Sequence, residues 1–289
     1  MEENRNLKIV MDSAGDLPEE WIERYDIEVV PINIHIGDNL YLEDVDLPKE
    51  KFYQVVAETG VIPKTSQPSP EQFKEVYRRI AEPGDRILSV HITSELSGTY
   101  SSAQAAAAEL EDEGYLIEVF DTRAGTAIQG YMCVEARNMD NQNLGLNQIL
   151  DRLNEIRDQT EIILTLESLD FARMSGRVRA LESLLASLLR IKPVIFLKDG
   201  TLEIGRKVRS RLASLDYLVE EISRRVGSKL VNAAVLHAHD FEGAVEFAER
   251  IKEVLNTKYF FIEEVSIGIA SNLGPGTIGV VAYPVSKGV

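Results

Sequence analysis

Three short stretches carry residue types that can do chemistry where a strand ends or a helix begins. Ser94-Glu-Leu-Ser-Gly-Thr-Tyr100 places hydroxyls and a glycine between an apolar run and an alanine-rich one. Backbone N–H groups at a helix start have no intrahelical acceptor, and the macrodipole is positive there. Gly98 lets a ligand approach the main chain closely. Such a start suits a carboxylate or a phosphate, or it is a plain helix start capped by Ser97 or Thr99. Lys64-Thr-Ser-Gln67 is a second hydroxyl cluster, for which hydroxyl-to-backbone turns are the simpler account. Asp12-Ser13 follows an apolar run, either as a strand-end ligand position or as the cap of the next helix.

Catalytic sets are thin. A serine nucleophile needs a base beside it. The histidines are His35, His91, His237 and His239, and no serine stands in the glycine-flanked elbow of a hydrolase. His237-Ala-His239-Asp240 alternates as ligands on a strand do, but two histidines and one aspartate are weak evidence for a metal. Neither the phosphate-loop pattern nor the dinucleotide glycine pattern occurs. No catalytic residue, no metal and no cofactor is expected from these patterns.

The elements that position these residues alternate along the chain. Leu7–Met11, Ile27–Ile36, Arg86–Ile92 and Tyr115–Asp121 read as strands, with helical patterns between them. Three prolines make residues 63–70 a loop, and Ser69-Pro70 starts a helix as cap and first residue. Residues 1–160 are thus expected to form an α/β domain with a mainly parallel sheet. Its ligand zone would lie beyond the carboxyl ends of the strands. From residue 161 a second α/β domain, 161–289, is expected to hold a mixed sheet. It contains an apolar helix over 180–189, a hairpin turning at Asp199-Gly200, and a βαβ run over 230–265.

The 289 residues carry a net charge of -16, which argues against general binding to nucleic acid or an anionic membrane. The charge is uneven: residues 171–229 hold 13 Lys/Arg against 6 Asp/Glu. The run Arg206-Lys-Val-Arg-Ser-Arg211 is either a solvated face or a surface for an acidic partner. No apolar run approaches the roughly 20 residues of a membrane span, so no stable membrane insertion is expected. The amino terminus lacks a secretory pattern. With a single cysteine, Cys133, a cytoplasmic protein fits.

Taken in order, several segments resemble the DegV family of bacterial fatty-acid-binding proteins. They are Val10-Met-Asp-Ser13, Pro63-Lys-Thr-Ser-Gln-Pro68, Thr93 to Tyr100, Ser175-Gly-Arg177, Ile191-Lys-Pro193, Asp199-Gly200, Lys207-Val-Arg209, His237-Ala238 and Gly274-Pro-Gly276. The resemblance implies two domains with one long-chain fatty acid buried between them, and a carrier rather than an enzyme. It implies that Thr65 and Ser97 hold the carboxylate. Main-chain groups at Gly98 and Thr99 and the amide of Asn272 would complete the site. Asn272 stands where many members carry a histidine, so a neutral side chain replaces a titratable one. The apolar tail would lie against residues 181–189 and 191–196. Members can present the bound acid to a fatty-acid kinase, and Arg209 best matches the arginine of that contact, with Arg206 and Arg211 also open. The other reading is a subunit or enzyme that takes a keto-sugar or a phosphate at the same helix start.

Overall fold

The computed structural model describes residues 7–177 and 191–286. The chain divides into two compact units, residues 1–48 with 65–157, and residues 49–64 with 158–289.

The first unit is built on four parallel strands in the order β2-β1-β6-β7. They are β1 (Lys8–Asp12), β2 (Ile27–Val30), β6 (Arg86–His91) and β7 (Leu116–Asp121). Helices cover the sheet, as parallel strands require, and β1 is buried along nearly its whole length. One side packs Val10, Val30 and Ile87 against Phe73, Tyr77, Ala103 and Leu110. The helix Pro70–Ile80 begins as expected: Ser69 Oγ accepts from Gln72 N, and the Gln72 side chain returns to Ser69 N.

Two expectations for this unit need correction. The single strand over 27–36 is two strands. Pro31 has no N–H to continue a ladder, and Ile32 N donates instead to Ser13 Oγ at 2.9 Å. The chain then leaves the parallel sheet and forms β3 (Asn33–Ile36) and β4 (Asn39–Leu42), an antiparallel pair. Residues 63–70 are not all loop either. Lys64–Ser66 is a strand, β5, at the edge of the sheet β4-β3-β5. The prolines flank it rather than interrupt it, and an edge strand tolerates that.

The second unit carries six strands in the order β10-β9-β8-β13-β11-β12. These are β8 (Glu161–Thr165), β9 (Lys192–Lys198), β10 (Thr201–Val208), β11 (Leu230–His237), β12 (Asn256–Glu264) and β13 (Ile278–Pro284). Only β11 and β12 pair in parallel, so the sheet is mixed as expected. The β9–β10 hairpin turns at Asp199 (φ 49°) and Gly200 (φ 82°), the pair of positive φ values that an Asp-Gly turn supplies. Ile163, Val194, Val231, Ile222, Phe247 and Val280 lie in its core. The apolar helix expected over 180–189 lies outside the described residues. The helix Lys49–Thr59 clusters with this unit, although it was expected in the first. Its reason is packing: Phe52 and Tyr53 are buried, the Tyr53 ring stacks on His239, and Lys49 Nζ donates to the Glu264 carbonyl at 2.8 Å.

The unit's helix Arg211–Val226 ends in a charge cluster. Arg224 contacts both Glu221 carboxylate oxygens, at 2.6 and 2.9 Å, and Arg225 Nε adds a third contact at 2.7 Å. Arg224 first, then Arg225, holds the Glu221 carboxyl down to about 2, against the opposing effect of burial. A depressed folded-state value stabilises the fold above the ordinary carboxylate range and is lost as pH falls toward 2. Glu221→Gln is therefore expected to lower the urea midpoint at neutral pH, with the gap from the parent protein closing between pH 4.5 and about 2. A gap unchanged across that window would contradict it.

Candidate functional site

The Ser94–Tyr100 segment leaves β6 and enters the helix Thr99–Glu111. Thr93 N donates to Ala124 O at 2.8 Å, and Leu96 and Ser97 N–H turn back to Thr93 O. Ser94 is tied to the scaffold: its Oγ donates to Asp121 Oδ2 at 2.6 Å and its N–H to Oδ1 at 3.2 Å. Ser97 is placed differently. Its Oγ accepts from Thr99 N at 3.3 Å and lies 2.8 Å from Thr99 Oγ1. With Thr99 as donor in that pair, the Ser97 hydrogen is left to donate to another oxygen.

The first helical turn has no side-chain cap; its N-cap is Gly98. Ser102 N is the first to bond within the turn, to Gly98 O. Among the described residues no acceptor meets the N–H groups of Gly98, Tyr100 or Ser101. The capping account of Ser97 and Thr99 thus covers one N–H, that of Thr99, and leaves three donors. Thr99 itself is fully buried and acts through Ser97. The open donors at Tyr100 and Ser101 were not foreseen. They follow from the helix beginning one residue after a glycine that has no side chain to cap it.

The structure brings the second hydroxyl cluster to the same place. A Cβ at Gly98 would sit 2.9 Å from the Gln67 side-chain amide, so Gln67, two residues beyond Thr65, lies against the turn that follows Ser97. Thr65 is half-buried on β5, and its hydroxyl has no partner among the described residues. Residues that sequence reasoning missed shape this strand. His35 Nε2 lies 2.8 Å from Ser66 Oγ, Asn33 Nδ2 donates to Gln67 O at 3.0 Å, and the Asn33 and Gln72 amides pair with each other. For Asn33 and His35 the signal in the sequence was only polar residues within an apolar strand, and Gln72 carried the signal of a helix cap. Thr65–Gln67 and Ser94–Ser101 contain no lysine, arginine or histidine. The site is a set of neutral donors, able to hold one carboxylate by hydrogen bonds alone.

The remaining expected residues lie in the second unit. Asn272, half-buried, donates through Nδ2 to Gly268 O at 2.6 Å within its own short helix, so one of its two amide hydrogens is engaged. Arg206 stacks over Tyr217, 5.3 Å from the ring centre, and Arg211 pairs with Asp240 at 2.8 Å. Arg209 is exposed and makes no ion pair among the described residues. Val194 and Ile195, expected against a ligand tail, lie in the unit's own core. The weak metal pattern comes apart: His239 stacks on Tyr53, Asp240 caps the following helix, and no three metal-ligating side chains converge among the described residues. Asp12 is neither a ligand position nor a helix cap. It is fully buried and accepts from Ala14 N, Ile92 N and Gln129 Nε2, with His91 Nδ1 2.9 Å away.

A parallel-sheet unit with open N–H donors at a helix start, joined in sequence to a mixed-sheet unit, defines a two-unit α/β protein. The family model for DegV, described as uncharacterised proteins, matches residues 6–285, and the chain belongs to that family. A DegV domain-containing protein of Caldanaerobacter subterraneus is 30% identical over 276 residues, covering 95% of this chain and 97% of that one. Two solved structures are similar throughout. One is described as fatty-acid binding of a DegV family protein from Thermus thermophilus, with a TM-score of 0.90, 30% identity, and coverage of 97% and 100% of the two chains. The other is a stearic-acid-binding protein from Eubacterium ventriosum, with a TM-score of 0.90, 28% identity, and coverage of 96% and 98%. Among the described residues no helix is long and apolar enough to cross a membrane.

Proposed function

We propose that this protein is a non-catalytic carrier of one long-chain fatty acid, with the carboxylate held by Ser97, Thr65 and the N–H groups that open the helix Thr99–Glu111. The observation that carries the reading is the uncapped first turn, with its three open N–H groups beside the Ser97 hydroxyl. Fatty-acid binding by the similar proteins from Thermus and Eubacterium supports it. The energetics favour the same assignment. Burying a tail of about sixteen carbons at ~0.8 kcal/mol per methylene yields about 12 kcal/mol before association costs are subtracted. The tail then supplies affinity, and the neutral head site fixes which end is held.

We further infer that the bound acid is presented to an acyl-phosphate-forming kinase in the cytoplasm, with Arg209 in the contact. Of the three candidate arginines, Arg206 and Arg211 already have partners and Arg209 has none among the described residues. Two measurements test the proposal. Organic-solvent extraction of the purified protein, followed by mass spectrometry, is expected to release a long-chain acid in near-equal molar amount. No lipid, even after incubation with palmitate or oleate, would end the carrier reading. Arg209→Glu is expected to retain its lipid and lose kinase-dependent phosphorylation of it; unchanged turnover would remove Arg209 from the contact.

A further inference from the structure

One side chain beside the proposed head site has no role in the carrier reading. Gln67 follows β5 and precedes Pro68, which keeps the Gln67 backbone extended. Successive side chains on an extended chain point to opposite sides. Ser66 turns to His35, its Oγ 2.8 Å from Nε2, so Thr65 and Gln67 turn together to the other side. The main chain there is fixed: Asn33 Nδ2 donates to Gln67 O at 3.0 Å, and Ser69 caps the next helix.

The Gln67 amide lies on Gly98. A Cβ built on that glycine would meet Gln67 Cδ and Nε2 at 2.9 Å and Oε1 at 3.2 Å. Three near-equal distances mean that the amide faces the glycine with its plane and not with its tip. An amide donates and accepts within its own plane, so neither edge is spent on the turn it covers. Neither Nε2 nor Oε1 has a partner among the described residues. The amide is held by packing, with its bonding edges open beside Ser97 and the uncapped first turn. Only a glycine leaves room for this: any Cβ at position 98 displaces the amide.

We propose that Gln67 sets the head-group specificity of this site: its Nε2 donates to a carboxylate oxygen at the helix start, so that a free acid is taken in preference to a fatty alcohol. The proposal rests on the carrier reading of the same site. An ionised carboxylate only accepts, at about four lone-pair positions, and matches a surround of donors. An alcohol brings an O–H that needs an acceptor, and its own oxygen makes the weaker, uncharged kind of hydrogen bond. Glutamate at position 67 keeps the shape of glutamine and reverses both effects. It is ionised at neutral pH and donates nothing, so it repels a carboxylate and accepts from an alcohol.

The test is a competition. The full chain is incubated with an excess of palmitate and hexadecanol in equal amounts, and the bound lipid is extracted and measured by mass spectrometry. The parent protein is expected to take mostly palmitate. Gln67→Ala is expected to lower the ratio of bound palmitate to hexadecanol about tenfold, the size of one hydrogen bond to a charged acceptor. Gln67→Glu is expected to lower it about a hundredfold, because a like charge is added to the lost donor. Gly98→Ala displaces the amide, so it is expected to act like Gln67→Ala and to add nothing to it in the double variant. Gln67 is exposed, and an unchanged thermal midpoint verifies that its variants are folded. A ratio in Gln67→Glu equal to the parent's, including an equal loss of both lipids, overturns the Gln67 assignment and leaves the carrier reading standing. A parent protein that retains neither lipid overturns the carrier reading, and the role of Gln67 with it.

Discussion

Ser97→Ala is expected to weaken long-chain fatty-acid binding about tenfold, whereas Ser94→Ala leaves it within about twofold. The two serines are three residues apart on one segment but have different partners. Ser94 donates both its hydroxyl and its N–H to Asp121, so its loss is a local matter of holding β6 to β7. Ser97 accepts from Thr99 N and, with Thr99 as donor, keeps its own hydrogen for a ligand oxygen. A hydrogen bond to a charged acceptor contributes about 1.5–3 kcal/mol, and 1.4 kcal/mol is a factor of ten. The apolar tail is untouched, so binding is weakened rather than abolished. Displacement of a fluorescent fatty acid measures both variants directly. Equal affinities would remove Ser97 from the carboxylate site.

The parts of this arrangement legible in the sequence are those fixed by neighbours along the chain. Ser69-Pro70-Glu-Gln72 announces a helix start because cap, first residue and return side chain are within four positions. Asp199-Gly200 announces a hairpin because the turn itself demands positive φ. What was not legible depends on partners distant in sequence. The edge strand Lys64–Ser66 looks like loop until β3 is beside it. The helix Lys49–Thr59 has no local mark of its unit; its place follows from Tyr53 meeting His239, far along the chain. The candidate site was half legible. Ser97 and Gly98 stood out as a strand-to-helix turn, but the openness of the Tyr100 and Ser101 N–H groups is a negative property. It appears only once every possible cap is seen to point elsewhere.

Asp12→Asn is expected to destabilise the first unit by about 3 kcal/mol and to lower fatty-acid affinity with it. Asp12 ends β1, and its carboxylate ties three elements together: Ala14 N beyond its own strand, Ile92 N at the end of β6, and Gln129 in the helix Thr126–Asn141. His91 Nδ1 lies 2.9 Å from the same oxygen that Ile92 and Gln129 use. From there a buried chain runs outward, His91 Nε2 to Ser89 Oγ at 2.7 Å and Ser89 Oγ to Tyr77 OH at 2.8 Å. All five side chains, Asp12, His91, Ser89, Tyr77 and Gln129, are fully buried, so water cannot replace a lost partner. An asparagine keeps one acceptor oxygen and turns the other into a donor facing donors. Each buried donor left unsatisfied costs about 1–3 kcal/mol, and partial relaxation keeps the total near the figure given. Tyr77→Phe removes only the outer end of the chain and should lower stability by about 1 kcal/mol. Urea unfolding followed by circular dichroism compares the two. The link to the proposed function is the position of Ile92: it precedes Thr93, whose carbonyl orients Ser97, so a loosened Asp12 clamp reaches the proposed head-group site through two residues of main chain. If Asp12→Asn unfolds at the same urea concentration as Tyr77→Phe, the carboxylate is not the tie between strand ends, and the rigidity of the Ser97 turn must come from Asp121 and Ala124 instead.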